Sequence, residues 1–303
     1  MPRVQPMCAS AQPFLATAKS PLFVLKPSIM KERNMQKLYF LGGGNMCQAI
    51  VSGLVKEAEF DITVIDNNAE KRAYLEQAYG VHTGTALPDL QADDVLLLAV
   101  KPQDMAAATA DVNSNGALIL SIAAGLDIAT LSTMLNNPRI IRIMPNTPAQ
   151  IGLGVAGLFA PESLQAADKH IAERIMSAVG QVHWLAEENR MHAITGISGS
   201  GPAYVFYLMD ALAQAAQAQG FDAETARELS LATFKGAVTL AEQSGLPFGQ
   251  LQKNVTSKGG TTFAAISSFE ADNIAASIGA GVAACVARSE EMQSQLAKAN
   301  QDG

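Results

Sequence analysis

At 303 residues, with 49% apolar and 16% charged side chains, the chain has the balance of a globular protein with two ordinary cores and not that of a disordered one. Its net charge of −7 and pI near 5.1 give no basic footprint for a nucleic acid partner. The three scattered cysteines and four histidines lack ligand spacing, so the expectation is a reducing, cytoplasmic setting with no metal; no apolar run is long enough to span a membrane.

Residues 1–34 carry Pro2, Pro6, Pro13, Pro21 and Pro27, and no acid before Glu32. They read as a disordered upstream extension, with Met35 as the ancestral start; their acid-poor character also leaves an organellar transit peptide as the second reading. From Lys37 short apolar, β-branched runs recur at 37–42, 61–66, 93–100, 117–123 and 139–145. Helical periodicity fills Asn45 to Ala58 and Ala69 to Tyr79 between them, which implies right-handed βαβ crossovers and a parallel sheet. Runs at 155–160 and 181–186 extend that sheet, with a helix over Pro161 to Val179.

After Glu187 no strand pattern returns. Long Ala-, Leu- and Met-rich helices are expected over Gly201 to Gln219, Ala223 to Gln243 and Asp272 to Lys298. Helices this apolar, in a small domain, bury a face against another subunit, so at least a homodimer is expected. The domain plan is a Rossmann-like α/β domain over 35–190, followed by an all-helical dimerisation and substrate-binding domain over 191–299.

The first strand runs directly into Gly42-Gly43-Gly44-Asn45-Met46-Cys47 and then a helix, the order of a dinucleotide site. Gly42 permits the tight turn, and Gly44 lets the backbone approach a pyrophosphate. Asn45 and Met46 open the helix whose N-terminus favours an anion. Cys47 stands where a third small residue closes helix against strand.

Asp66 ends the second strand where an acid accepts the adenosine ribose hydroxyls, or else caps the next helix. Asp66-Asn67-Asn68 offers no arginine for a 2′-phosphate, which favours NADH on charge; Lys71 and Arg72 stand one turn on, so NADH and NADPH both stay open. Val100-Lys101-Pro102-Gln103 and Ala123-Ala124-Gly125 follow the third and fourth strands at the carboxyl edge, where they wall the nicotinamide half of a cleft. Lys101 reads as a cofactor contact or as a solvated strand-end lysine.

Two further segments are rich in glycine and hydroxyls. Ser198-Gly199-Ser200-Gly201-Pro202-Ala203-Tyr204 leads into a long helix, with Ser200 suited to capping it. Asn254 to Thr262 precedes the helical run Phe263 to Phe269, and hydroxyls with free N–H groups at a helix start form a carboxylate receptor.

From Met35 to about Met292 the chain resembles the pyrroline-5-carboxylate reductase family. The resemblance rests on Gly42 to Met46, Val100 to Gln103, Met144-Pro145-Asn146-Thr147-Pro148, Ser198 to Tyr204 and Val255 to Thr262. It implies NAD(P)H-dependent reduction of the imine of 1-pyrroline-5-carboxylate to proline. The active site would lie between the cofactor cleft, to which Asn146 belongs, and helices supplied partly by a partner subunit. It also implies that Ser257, Gly259, Gly260, Thr261 and Thr262 hold the substrate carboxylate, that Thr262 lies beside the ring nitrogen, and that Ser200 helps shape the pocket. His192, where many members carry aspartate, reads as a helix-surface histidine without a chemical role. Two other readings stay open: a two-domain dehydrogenase of small acids, and a non-catalytic dinucleotide sensor.

Overall fold

The structure is a computed structural model and describes residues 35–299; the disorder expected over 1–34 falls outside the described residues. In chain order come β1 (Gln36–Leu41), α1 (Asn45–Leu54), β2 (Phe60–Ile65), α2 (Ala69–Tyr79), β3 (His82–Gly84) and β4 (Val95–Leu98). A 3-10 turn over Pro102–Asp104 then leads into α3 (Met105–Thr109), β5 (Leu118–Ser121), α4 (Ile128–Leu135) and β6 (Ile140–Met144). After a second 3-10 turn, Thr147–Ile151, come β7 (Gly154–Phe159), α5 (Ala166–Ser177) and β8 (Gly180–Trp184). The remainder is helical: α6 (Arg190–Ile194), a π turn (Thr195–Gly199), α7 (Gly201–Ala218), α8 (Ala223–Ser244), α9 (Phe248–Asn254), α10 (Thr261–Ala271) and α11 (Ile274–Ala299).

The eight strands form one sheet in the order β3-β2-β1-β4-β5-β6-β7-β8. β1 lies between β2 and β4, so the order reverses there and opens a crevice at its carboxyl end. β4, β5 and β6 are buried at every position, as a sheet covered by helices on both faces requires. Side chains alternate between two cores. Leu38, Phe40, Val95 and Leu97 pack towards α1 and α5; Tyr39, Leu41, Leu96 and Leu98 pack towards α3 and α4. Burying each such leucine or phenylalanine contributes about 1.5–3 kcal/mol.

The expected α/β class, Rossmann-like sheet followed by helices, is the observed one. The sheet differs from expectation in two places. A short edge strand, β3, pairs with β2, and β7 runs antiparallel to β6. The link over residues 145–153 is too short to carry the chain back for a parallel return, which takes a dozen residues or more.

In the helical region α7, α9 and α10 bury no residue at all. Val205, Phe206, Tyr207, Leu212, Phe269 and Ile278 are all exposed. Among the described residues, no helix is long and apolar enough to cross a membrane. His192 corrects the sequence reading: only 8% of it is exposed, because α11 lies over α6 and covers it.

Candidate active site

β1 delivers the chain to Gly42, whose φ of +104° and whose N–H bond to the Ile65 carbonyl (2.8 Å) fold the backbone over the end of β2. A Cβ there would come 2.9 Å from the Ala99 carbonyl, so both conformation and space demand glycine. Gly44 N-caps α1, and the position of its absent side chain is open for 4 Å around. Nothing there obstructs a ligand's approach to the backbone and to the first turn of α1, where Asn45 is exposed and Met46 half-buried. Cys47 is fully buried, and burial pushes its thiol up, so it packs as a neutral group.

The Asp66 carboxylate accepts the Gly43 N–H on Oδ2 and the Asn68 N–H on Oδ1, both at 2.8 Å. Burial by itself would raise its pKa; the Asn68 and Gly43 bonds and the Lys71 charge outweigh this and hold it below the usual carboxylate range. Asn68, not Asp66, caps α2, accepting the Lys71 N–H at 2.9 Å. A cleft of about 580 Å³ opens beside this turn, lined by Gly42, Asp66, Asn67, Thr85, Val100 and Asp111 among others.

Lys101 is exposed and precedes the 3-10 turn that Pro102 begins. Ala123 is buried just past β5. Asn146 is buried too, and its amide is engaged at both ends: Nδ2 donates to the Ser198 carbonyl (3.0 Å), and Oδ1 accepts the Val155 N–H (2.8 Å). It therefore ties the carboxyl edge of the sheet to the π turn before α7.

That turn alters the expected role of Ser200. The backbone runs nearly unbroken from α6 through the π turn into α7, with the Ser200 N–H bonded to the Thr195 carbonyl, so the helix start needs no side-chain cap. Ser200 Oγ lies instead 3.3 Å from Cys285 Sγ on α11.

The second segment forms a tight turn. Gly259 has φ +74°, the Gly260 N–H reaches the Ser257 carbonyl at 3.0 Å, and a Cβ on Gly260 would come 2.5 Å from Ser257 Oγ. Gly260 then N-caps α10 without a side-chain hydrogen bond, and exposed Thr261 and Thr262 open that helix. The first N–H groups of α10 and the hydroxyls of Thr261 and Thr262 therefore share one exposed helix start.

The structure gathers Gly42, Asp66 and Val100 around one cleft, but the Ser257–Thr262 turn contributes nothing to its lining. α11 shows why. Its 26 residues span about 39 Å; its carboxyl end packs near Gly125, while its other end follows α10. The turn itself belongs to the helical region, at the start of α10.

Residues 188–292 match the family model for pyrroline-5-carboxylate reductase dimerisation, and 37–125 that for coenzyme F420-dependent NADP oxidoreductase. The pyrroline-5-carboxylate reductase of Haemophilus influenzae is 40% identical over 262 residues, 84% of this chain and 96% of that one. The chain belongs to the pyrroline-5-carboxylate reductase family. The solved pyrroline-5-carboxylate reductase of Coxiella burnetii is 34% identical and superposes with a TM-score of 0.77 over 86% of this chain and 99% of its own. That of Plasmodium falciparum, solved with NADP bound, is 26% identical with a TM-score of 0.73, over 86% and 98%.

In this member of the pyrroline-5-carboxylate reductase family, a polar cluster that sequence reasoning missed joins sheet to helices. Arg142, 3% exposed in the middle of β6, donates to Glu188 Oε1 at 2.8 Å. The same carboxylate oxygen accepts the Ile128 N–H at the start of α4, and Gln293 on α11 reaches Asp127 at 3.3 Å. The signal was an arginine inside the apolar run Ile140–Met144, since a charge buried in a central strand requires a partner. Gln48, bonded to the Gly43 carbonyl at 3.0 Å, steadies the glycine turn from α1 and was equally unforeseen.

Proposed function

We propose that the chain reduces 1-pyrroline-5-carboxylate to L-proline with NADH or NADPH. What carries this reading is that a family member matched over nearly a relative's whole length has the glycine turn at the strand-order reversal and the Ser257–Thr262 turn at a helix start. A sensor would need only the first.

The fit to a dinucleotide rests on Gly42, where a side chain would strike Ala99, and on the open approach at Gly44. Gly42, Gly44, Asn45 and Met46 would hold the pyrophosphate, and Asp66 the adenosine ribose. Val100, Lys101, Pro102, Ala123 and Asn146 would wall the nicotinamide half. When bound, the cofactor supplies the hydride that reduces the C=N bond.

The chain's own task is placement. The N–H groups and hydroxyls of Ser257, Gly259, Gly260, Thr261 and Thr262 would hold the substrate carboxylate, while the Thr262 hydroxyl hydrogen-bonds the ring nitrogen and Ser200 shapes the pocket floor. An imine protonated in solution already attracts hydride, so Thr262 orients and need not act as a strong acid.

Because the Ser257–Thr262 turn contributes nothing to the lining of its own chain's cleft, a site completed by a second copy is the natural assembly. The exposed apolar side chains of α7, α8, α10 and α11 would be covered in a homodimer or higher oligomer. Residues 35–190 would form the dinucleotide-binding domain, and 191–299 the dimerisation and substrate domain. The protein would work in the cytoplasm without a nucleic acid partner.

The test is oxidation of NADH and of NADPH by purified protein, with and without pyrroline-5-carboxylate, alongside detection of proline. Substrate-dependent oxidation with matching proline is expected. Folded protein that turns over neither cofactor, or reduces only an oxo acid, would sink the reading.

A further inference from the structure

We infer that the adenosine end of the cleft selects NADH over NADPH, with Asp66 as the discriminating residue; this rests on the reductase reading above and names the cofactor of that same site. The cleft beside the glycine turn, about 580 Å³, is lined by three acids, Asp66, Asp104 and Asp111, and by no lysine or arginine among the described residues. Asp66 ends the strand next to β1, the place from which an acid meets the ribose in dinucleotide folds.

Its carboxylate is held in place by the backbone. The side chain is only 12% exposed, and both oxygens are pinned by backbone N–H groups, from Gly43 to Oδ2 and from Asn68 to Oδ1. A carboxylate has about four acceptor positions; the Gly43 and Asn68 N–H groups and the Lys71 ammonium take three, which leaves Oδ1 with room to accept a ribose hydroxyl. A 2′-phosphate in the same place replaces one donor hydroxyl with a group carrying about −1.5 to −2 charge at neutral pH and offering acceptors only.

Two cations stand close enough to have argued the other way. Arg72 Nη1 donates to the Asp66 carbonyl oxygen at 2.7 Å, so its guanidinium braces the end of β2. Lys71 Nζ lies 3.5 Å from Asp66 Oδ2, so it faces that carboxylate. Neither lines the cleft. A 2′-phosphate would meet the anion before either cation.

The experiment is direct titration of the full chain with NADH and with NADPH, without substrate, read by the fluorescence of the reduced nicotinamide. It is repeated on Asp66→Ser, Asp66→Asn and Lys71→Ala. The wild type should bind NADH about tenfold or more tightly than NADPH. Both Asp66 variants should narrow or reverse that ratio, chiefly by improving NADPH. Lys71→Ala should not lower NADPH affinity selectively.

NADPH bound as tightly as NADH by the wild type overturns the proposal on its own, even if neither Asp66 variant folds. So does an unchanged ratio in a folded Asp66 variant, or a selective loss of NADPH in Lys71→Ala. Selective NADH binding without reduction of pyrroline-5-carboxylate would leave this selectivity standing and remove only the reductase reading. Failure of both dinucleotides to bind would remove both.

Discussion

His192 Nδ1 lies 2.9 Å from Ser289 Oγ, a contact that closes α11 over α6. Burial lowers the pKa of this histidine, the Arg142 charge lowers it further, and Glu290 and Glu188 only partly oppose them. The folded state therefore keeps the ring neutral at a pH where the unfolded chain already binds a proton. This contribution is whole above the ordinary histidine value of 6.5 and is lost as pH falls through that value towards the depressed one. The thermal midpoint of the wild type should drop more between about pH 7 and about pH 5 than that of His192→Gln. Equal drops would show that the imidazole is not the group titrating.

Gly42→Ala should be damaging for two separable reasons. The residue's φ of +104° costs a side chain about 1–3 kcal/mol, and the new methyl group would meet the Ala99 carbonyl at 2.9 Å. Since Gly42 also lines the cleft proposed for the dinucleotide, cofactor affinity should fall together with the unfolding midpoint. Gly44→Ala is the informative control, because its added methyl meets no atom of the chain within 4 Å. It should fold normally and lose affinity only through the ligand. A stable Gly42→Ala protein with unchanged dinucleotide binding would refute the account of the turn.

The central strands were legible in the sequence because burial on both faces leaves unbroken apolar runs such as Val95–Leu98 and Leu118–Ser121. β3 was not, because His82-Thr83-Gly84 has no apolar residue and pairs only at the sheet edge. The reversed direction of β7 is encoded in the short link after Met144, which leaves no room for a crossover. The glycine turn is a local event and declared itself. The burial of His192 depends on Ser289, 97 residues away, and no local pattern encodes such a contact. The bracing of Arg142 by Glu188 is equally non-local, although the misplaced charge gave notice of it.

That brace supplies a stability prediction. Arg142 is almost wholly buried, and Glu188 supplies the carboxylate that faces it at 2.8 Å. Glu188→Ala leaves a buried guanidinium without a counter-charge, facing only Gln293 Oε1 at 3.5 Å, and also removes the acceptor for the Ile128 N–H. The loss should be about 3–5 kcal/mol in chemical unfolding, well above that of an exposed ion pair. Replacing both residues by apolar ones of similar size should recover part of it, since no unpaired charge remains. A loss below about 1 kcal/mol in Glu188→Ala would place the pair among surface bridges of little consequence.

Assembly can be tested on α7. Phe206 is 65% and Tyr207 76% exposed in the single chain, and Tyr207 lines an apolar groove of about 770 Å³ between α7, α8, α10 and α11. Exposed aromatics of that size on helices that bury nothing of their own call for a covering surface. Tyr207→Glu should sediment as a smaller species at concentrations where the wild type is associated. It should keep its dinucleotide affinity and lose most reductase activity, because the turn proposed to hold the substrate would then have no second chain's cofactor to face. A fully active monomer would show that one chain builds the whole site.

Thr262 tests the chemistry most directly. It follows the Gly260 cap of α10 and is exposed, so its substitution disturbs no core. Thr262→Val keeps the shape and removes the hydroxyl proposed to hold the ring nitrogen. A hydrogen bond to a charged group is worth about 1.5–3 kcal/mol, so kcat should fall ~10- to 100-fold. Because the hydroxyl orients the ring for hydride transfer, the loss falls on kcat while KM changes little. Thr262→Ser should recover most of the rate. A valine variant whose defect lies wholly in KM would move Thr262 from the reacting nitrogen to the carboxylate, leaving Ser257 and the α10 N–H groups to share that load with it.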